Sequence, residues 1–170
     1  MDRLFRTKAY LLEGNRWLAA YLAPRVLLLV IAVWAVPALA EHQPRTFIAV
    51  INGGQEVPPT TSDAFGVAFM TFDEATKMLC FSITHSGGGL QGTETAAHFH
   101  GPATAEHNAG ILFTLPLGNP KNDCVGPLSE EQEDFLRKGL VYINIHSVLL
   151  PDGELRGQVI RTRRAEELAE

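Results

Sequence analysis

From residue 46 onward, apolar positions recur with period two or gather in short runs, with turn residues between them. Residues 46–51 (TFIAVI) stop at Asn52-Gly53-Gly54. Residues 65–72 (FGVAFMTF) stop at Asp73-Glu74, and 78–85 (MLCFSITH) stop at Ser86 and a run of three glycines. Residues 95–100 end at Gly101-Pro102, and 111–115 end before Pro116. Residues 140–147 end near Pro151-Asp152-Gly153, and 154–161 close the series. Seven short strands separated by turns predict an all-β sandwich or small barrel. One connector helix is expected. Ser129 and Gln132 have the spacing of a capping box, acids fill the first turn, Arg137-Lys138 the last, and Gly139 can stop the helix.

Alternation also sorts the polar residues onto faces. In Val141-Tyr142-Ile143-Asn144-Ile145-His146 the three aliphatic residues share one face, and Tyr142, Asn144 and His146 share the other. His98 and His100 stand at i and i+2, opposite Ala97 and Phe99. Glu154, Arg156 and Gln158 lie opposite Leu155 and Val159. Three strands thus carry an apolar core face and a polar face rich in chemistry.

The first forty residues follow a different pattern. Residues 26–40 (VLLLVIAVWAVPALA) are uncharged and mostly apolar, follow Arg25, and end in Ala38-Leu39-Ala40. A spanning helix needs about twenty such residues. A basic stretch, a short apolar core and a small-x-small end predict a secretory signal peptide cleaved after Ala40. The alternative is an uncleaved anchor, favoured by the long basic stretch before it. The mature protein is then expected in the periplasm or outside the cell, with no membrane contact beyond the signal segment. Residues 161–170 are expected as a polar tail.

Composition narrows the partners. The 170 residues carry a formal net charge of −5. Residues 1–40 hold five basic and two acidic residues, so the rest hold nine basic and seventeen acidic. An acidic body does not seek nucleic-acid phosphate. With export, Cys80 and Cys124 have an oxidising compartment in which to bond. Alternatively Cys80, inside an apolar run, is an ordinary buried thiol.

Two imidazoles on one strand face can meet one ion, and a third from a neighbouring strand completes a site suited to copper, with zinc less favoured. His98, His100 and His146 are the candidate ligands, provided their strands are neighbours. Each ring is then expected to donate its second N–H to a fixed acceptor, and Asn144 is not assumed to be one. His85 reads as a core-edge residue, His107 as solvated, and His42 as part of the N-terminal arm. The sequence carries no nucleophile elbow, no phosphate-binding loop and no Cys-x-x-Cys. Ser147 faces away from His146, so the two make a poor catalytic dyad.

Four blocks, in order, resemble the signature of the CHRD domain, the domain named for chordin. They are Gly53-Gly54-Gln55-Glu56-Val57-Pro58-Pro59, Thr95 to Pro102, Val141 to Ser147, and Pro151-Asp152-Gly153-Glu154-Leu155-Arg156-Gly157-Gln158-Val159. The resemblance spans about residues 46–160 and implies an immunoglobulin-like or superoxide-dismutase-like antiparallel sandwich, without a well-established activity. In chordin the domain belongs to an extracellular growth-factor antagonist. The histidine pattern is also similar to the copper site of copper/zinc superoxide dismutases, with His98, His100 and His146 at matching positions but no zinc loop. Two readings follow. One is a non-enzymatic exported binding or structural module of the envelope, its partner unknown. The other is a copper-binding protein of the same fold, with dismutation a more distant option. Glu56 and Arg156 both belong to the signature blocks, so Glu56 is the expected carboxylate partner of the Arg156 charge.

Overall fold

The computed structural model describes residues 44–86 and 89–163. The expected leader, its cleavage site and His42 lie outside the described residues, as does most of the polar tail.

Among the described residues the chain forms nine strands and one α-helix. The strands are β1 (Arg45–Asn52), β2 (Phe65–Asp73), β3 (Met78–Ser86), β4 (Glu94–His100), β5 (Ile111–Thr114), β6 (Lys121–Val125), β7 (Tyr142–Ser147), β8 (Leu155–Gln158) and β9 (Ile160–Arg161). They make one antiparallel sheet in the order β5-β4-β7-β8-β1-β2-β3-β6, with β9 also on β1. The sheet curls until its two halves face each other. Phe81 of β3 meets Phe99 of β4 edge to face, with ring centroids 5.6 Å apart. The expected all-β sandwich or barrel is therefore what forms.

Alternation decides the core. Phe47, Ala49 and Ile51 of β1 are buried with Ala68, Met70 and Phe72 of β2, and with Leu79, Phe81 and Ile83 of β3. Ala97 and Phe99 of β4 join them from the other half, with Ile143 and Ile145 of β7 and Leu155 of β8. Burying a side chain of this size favours the fold by about 1.5–3 kcal/mol.

Two differences from the sequence reading have clear causes. The segment 154–161 is two strands, because Val159 turns inward, is fully buried and bonds the Val141 carbonyl. β8 then pairs with β7, and β9 with β1. The strand β6 was not expected, since KNDCV shows no apolar alternation. It is held on β3 by five paired positions, among them Cys80 opposite Cys124. These two cysteines form a disulfide that closes a 44-residue separation. In the chain-entropy model such a loop stabilises the fold by about 4 kcal/mol.

The helix α1 (Glu130–Arg137) starts as its spacing predicts. The Ser129 hydroxyl accepts from the Gln132 amide, and the Gln132 side chain accepts from the Ser129 amide. Gly139, at φ 69°, ends it. Leu136 of α1 lines a small cavity with Leu79 of β3, Phe99 of β4 and Phe113 of β5. The helix thus covers the gap between the two ends of the sheet.

Candidate metal centre

β4 and β7 are direct neighbours. Ala96 stands opposite His146, His98 opposite Asn144, and His100 opposite Tyr142. With Ala97, Phe99, Ile143 and Ile145 turned into the core, His98, His100 and His146 all project from the outer face. The rings of His98 and His100 are 5.3 Å apart, and those of His98 and His146 are 5.1 Å apart. One ligand nitrogen from each of the three lies within 4.8 Å of the others. All three side chains are half-buried.

The tautomers can be read from the outer partners. His100 Nδ1 lies 2.9 Å from the Ala109 carbonyl oxygen, and His146 Nδ1 lies 2.9 Å from that of Pro151. A carbonyl only accepts, so both Nδ1 atoms carry the proton and both Nε2 atoms keep a lone pair. His98 Nδ1–H donates to the His146 Nε2 lone pair at 3.2 Å, a proton that an ion would replace. Two nitrogens bound to one ion at about 2.0–2.1 Å, at a tetrahedral angle, are about 3.3 Å apart. His100 Nε2 is buried and has no hydrogen-bond partner among the described residues. A buried lone pair without a donor is costly, and a metal ion is the kind of acceptor that would use it. The donor set therefore fits a borderline ion such as copper or zinc.

Burial, then repulsion from His146 and His100, holds the His98 ring below the ordinary imidazole pKa. Burial does the same to His100, against the pull of its Ala109 hydrogen bond. Both rings are thereby kept neutral, the form that ligates.

The other expected residues fall elsewhere. His85 sits at the end of β3 with its Nε2 4.0 Å from a Glu94 carboxylate oxygen, and is kept neutral chiefly by burial. His107 is exposed on a loop and bonds Thr104.

The expected Arg156–Glu56 ion pair is corrected by the structure. Arg156 donates to Asn108 Oδ1 at 2.8 Å, to the His107 carbonyl at 2.8 Å and to the Thr104 carbonyl at 3.0 Å. Its guanidinium lies 3.6 Å from the centre of the Tyr142 ring. A guanidinium carries five N–H donors, and loop 104–109 brings three acceptors within reach of them. Glu56 instead accepts from Asn144 Nδ2 at 2.8 Å and acts on Arg156 only as a facing charge. Gly153 makes room for this pair: at φ 139°, a Cβ there would lie 2.7–2.8 Å from Asn144 and Glu56.

Sequence reasoning missed Asn108, Ala109 and the role of Tyr142. Tyr142 stacks on His100 with ring centroids 4.9 Å apart and planes 9° apart, and its hydroxyl meets the Ala109 backbone. Only its place beside Asn144 and His146 on the polar face pointed to it.

Glu56, Tyr142, Asn144, Gly153 and Arg156 all fall in the signature blocks noted above, and the structure brings them together. The family model of the CHRD domain matches residues 47–159. The chain belongs to the CHRD domain family. In this CHRD domain the matched stretch runs from β1 to the residue after β8 and includes every candidate ligand. No curated protein and no solved structure matches the chain.

Proposed function

We propose that this CHRD domain is a non-enzymatic module of the envelope or extracellular space that binds one copper ion through His98 Nδ1, His100 Nε2 and His146 Nε2. One observation carries the reading: three imidazoles from two paired strands converge, two of them held by backbone carbonyls in the tautomer that keeps the lone pair on Nε2. Imidazole suits copper and zinc alike, and copper is the ion proposed because the His-x-His pair with a third histidine is similar to a copper site. When bound, the ion supplies Lewis acidity and a one-electron couple. The chain supplies two oriented rings, a partly desolvated pocket and neutral ligands. Protons compete for the same nitrogens, so loading falls as pH drops through the imidazole range.

A binding role fits better than hydrolysis. Ser147, next to His146 in sequence, is fully buried on the other side of β7 and bonds the Gln91 carbonyl. Export is part of the proposal. Support comes from the basic-then-apolar leader and from the Cys80–Cys124 bridge, which suits an oxidising compartment.

The test expresses the full chain, recovers the protein from each cell fraction, and reads its N-terminus and its metal content after copper or zinc loading. The expected result is an N-terminus at Glu41 and one copper per chain, lost in His98→Ala, His100→Ala and His146→Ala alike. Copper retained by all three variants would refute the site. An N-terminus at Met1 would refute cleavage.

A further inference from the structure

The three candidate ligands carry no negative charge between them: all are imidazoles. On the other side of Tyr142 sits a permanent cation. Tyr142 stacks on His100 at 4.9 Å between centroids, and the Arg156 guanidinium lies 3.6 Å from the Tyr142 ring centre. Two groups that close cannot share one face of the ring, so the tyrosine is sandwiched between the ligand and the cation. Arg156 is only 1% exposed, so little water screens its charge.

The acid facing Arg156 is Glu56. It is buried, accepts from Asn144, and is pushed up to about 7 chiefly by desolvation. Near neutral pH it therefore cancels only part of the guanidinium charge.

Arg156 also acts mechanically. Its three hydrogen bonds tie down Thr104, His107 and Asn108, and the next residue, Ala109, gives the carbonyl that fixes His100. Asn108 in turn donates to the Val57 carbonyl, which joins this loop to the one carrying Glu56.

We infer that Arg156 makes this centre selective for the cuprous over the cupric ion. The inference rests on the copper reading above and extends it to the oxidation state. A neighbouring cation repels a doubly charged ion about twice as strongly as a singly charged one. Three neutral ligands do nothing to offset the second charge. A set of three convergent nitrogens is also short of the tetragonal arrangement that Cu(II) prefers. Arg156 is a positioning and selectivity residue here, not a ligand.

The experiment uses the full-chain protein at pH 7, where Glu56 leaves part of the guanidinium charge uncancelled. Cu(I) affinity is measured anaerobically by competition with bicinchoninate, and Cu(II) affinity by competition with glycine, with the Cu(II) spin-resonance spectrum recorded alongside. The wild type is expected to bind Cu(I) more tightly than Cu(II). Arg156→Gln is expected to lower the Cu(I)-to-Cu(II) affinity ratio by roughly tenfold. Arg156→Lys, which keeps the charge, is expected to keep most of the ratio while broadening the Cu(II) spectrum through the loosened His100. Glu56→Gln removes the countercharge, keeps an acceptor for Asn144, and is expected to raise the ratio. If Arg156→Gln fails to fold, the Glu56→Gln arm decides alone.

A wild type that prefers Cu(II) would overturn the inference while leaving the copper site standing. So would a ratio that neither charge change moves. A protein that takes up copper in neither state would overturn the copper reading, and this inference with it.

Discussion

The outer faces of the two halves of the sheet are built by the same alternation and end in opposite conditions. On β4, β7 and β8 the outward residues are His98, Asn144, Tyr142 and Arg156, and the last three are 5%, 2% and 1% exposed. On β1 and β2 the outward residues include Val50 and Phe69, which are 54% and 63% exposed. The polar face is the buried one, and the apolar face is bare. Loop 104–109 covers the first, carrying its own carbonyls to Arg156, His100 and Tyr142. Val50 and Phe69 of the second offer no hydrogen-bonding groups on their side chains to hold a loop. Exposed apolar residues scattered on a surface are ordinary, whereas buried polar networks must be satisfied throughout. The difference puts the network that must be satisfied on one face only.

The largest effect on that contrast is expected from Arg156→Ala. It strands two loop carbonyls and Asn108 Oδ1, and empties the space beside Tyr142. The expected cost is about 3–5 kcal/mol of stability, measured by urea unfolding. A loss below about 1 kcal/mol would mean that the loop stands without it, and that the two faces differ less than they look.

The sequence showed which side of each strand a residue takes, because a period of two is local. The faces of His98 and His100, of His146, and of the core trio of β7 were all legible for that reason. That His146 meets the other two rests on β4 pairing with β7, a contact between residues almost fifty positions apart. The similarity of the histidine pattern to a copper/zinc dismutase site pointed to that arrangement, but whether the two strands are neighbours stayed a condition that alternation could not settle. The strand β6 was invisible, since its inward residue is Lys121, fully buried against Glu94 and the Gly118 carbonyl, and lysine is not a core signal. The partner of Arg156 was misread because charge suggested charge. The real partners are mostly backbone carbonyls, and every residue has one of those.

A smaller effect comes from pH acting on Glu56. Its folded pKa of about 7 lies above the ordinary 4.5, so the native state holds a proton that the unfolded chain has released. Its contribution is fully present below about pH 4.5 and is lost as pH rises through about 7. His98 and His100 run the other way. Their folded values are depressed, so their contribution is present above the imidazole range and is lost as pH falls. Subtracting the stability of Glu56→Gln from that of the wild type at each pH isolates the carboxyl. The difference is expected to shift by about 2–3 kcal/mol against the wild type between pH 4.5 and 8. A flat difference would show that Glu56 is ionised across the range and that the polar face holds a full ion pair.

The smallest effect is expected on the bare face. Phe69 lies opposite Ile48 on β1 and Ser82 on β3, with its ring mostly in water. Phe69→Thr keeps a residue with high strand propensity and removes contacts that bury little area. Its stability, measured by urea unfolding at low and high protein concentration, is expected to stay within about 0.5 kcal/mol of the wild type. A loss several times larger, present only at high concentration, would show that a second copy of the chain covers this face in solution. The bare face would then be an interface, and the contrast between the two halves would become one between a loop cover and a protein cover.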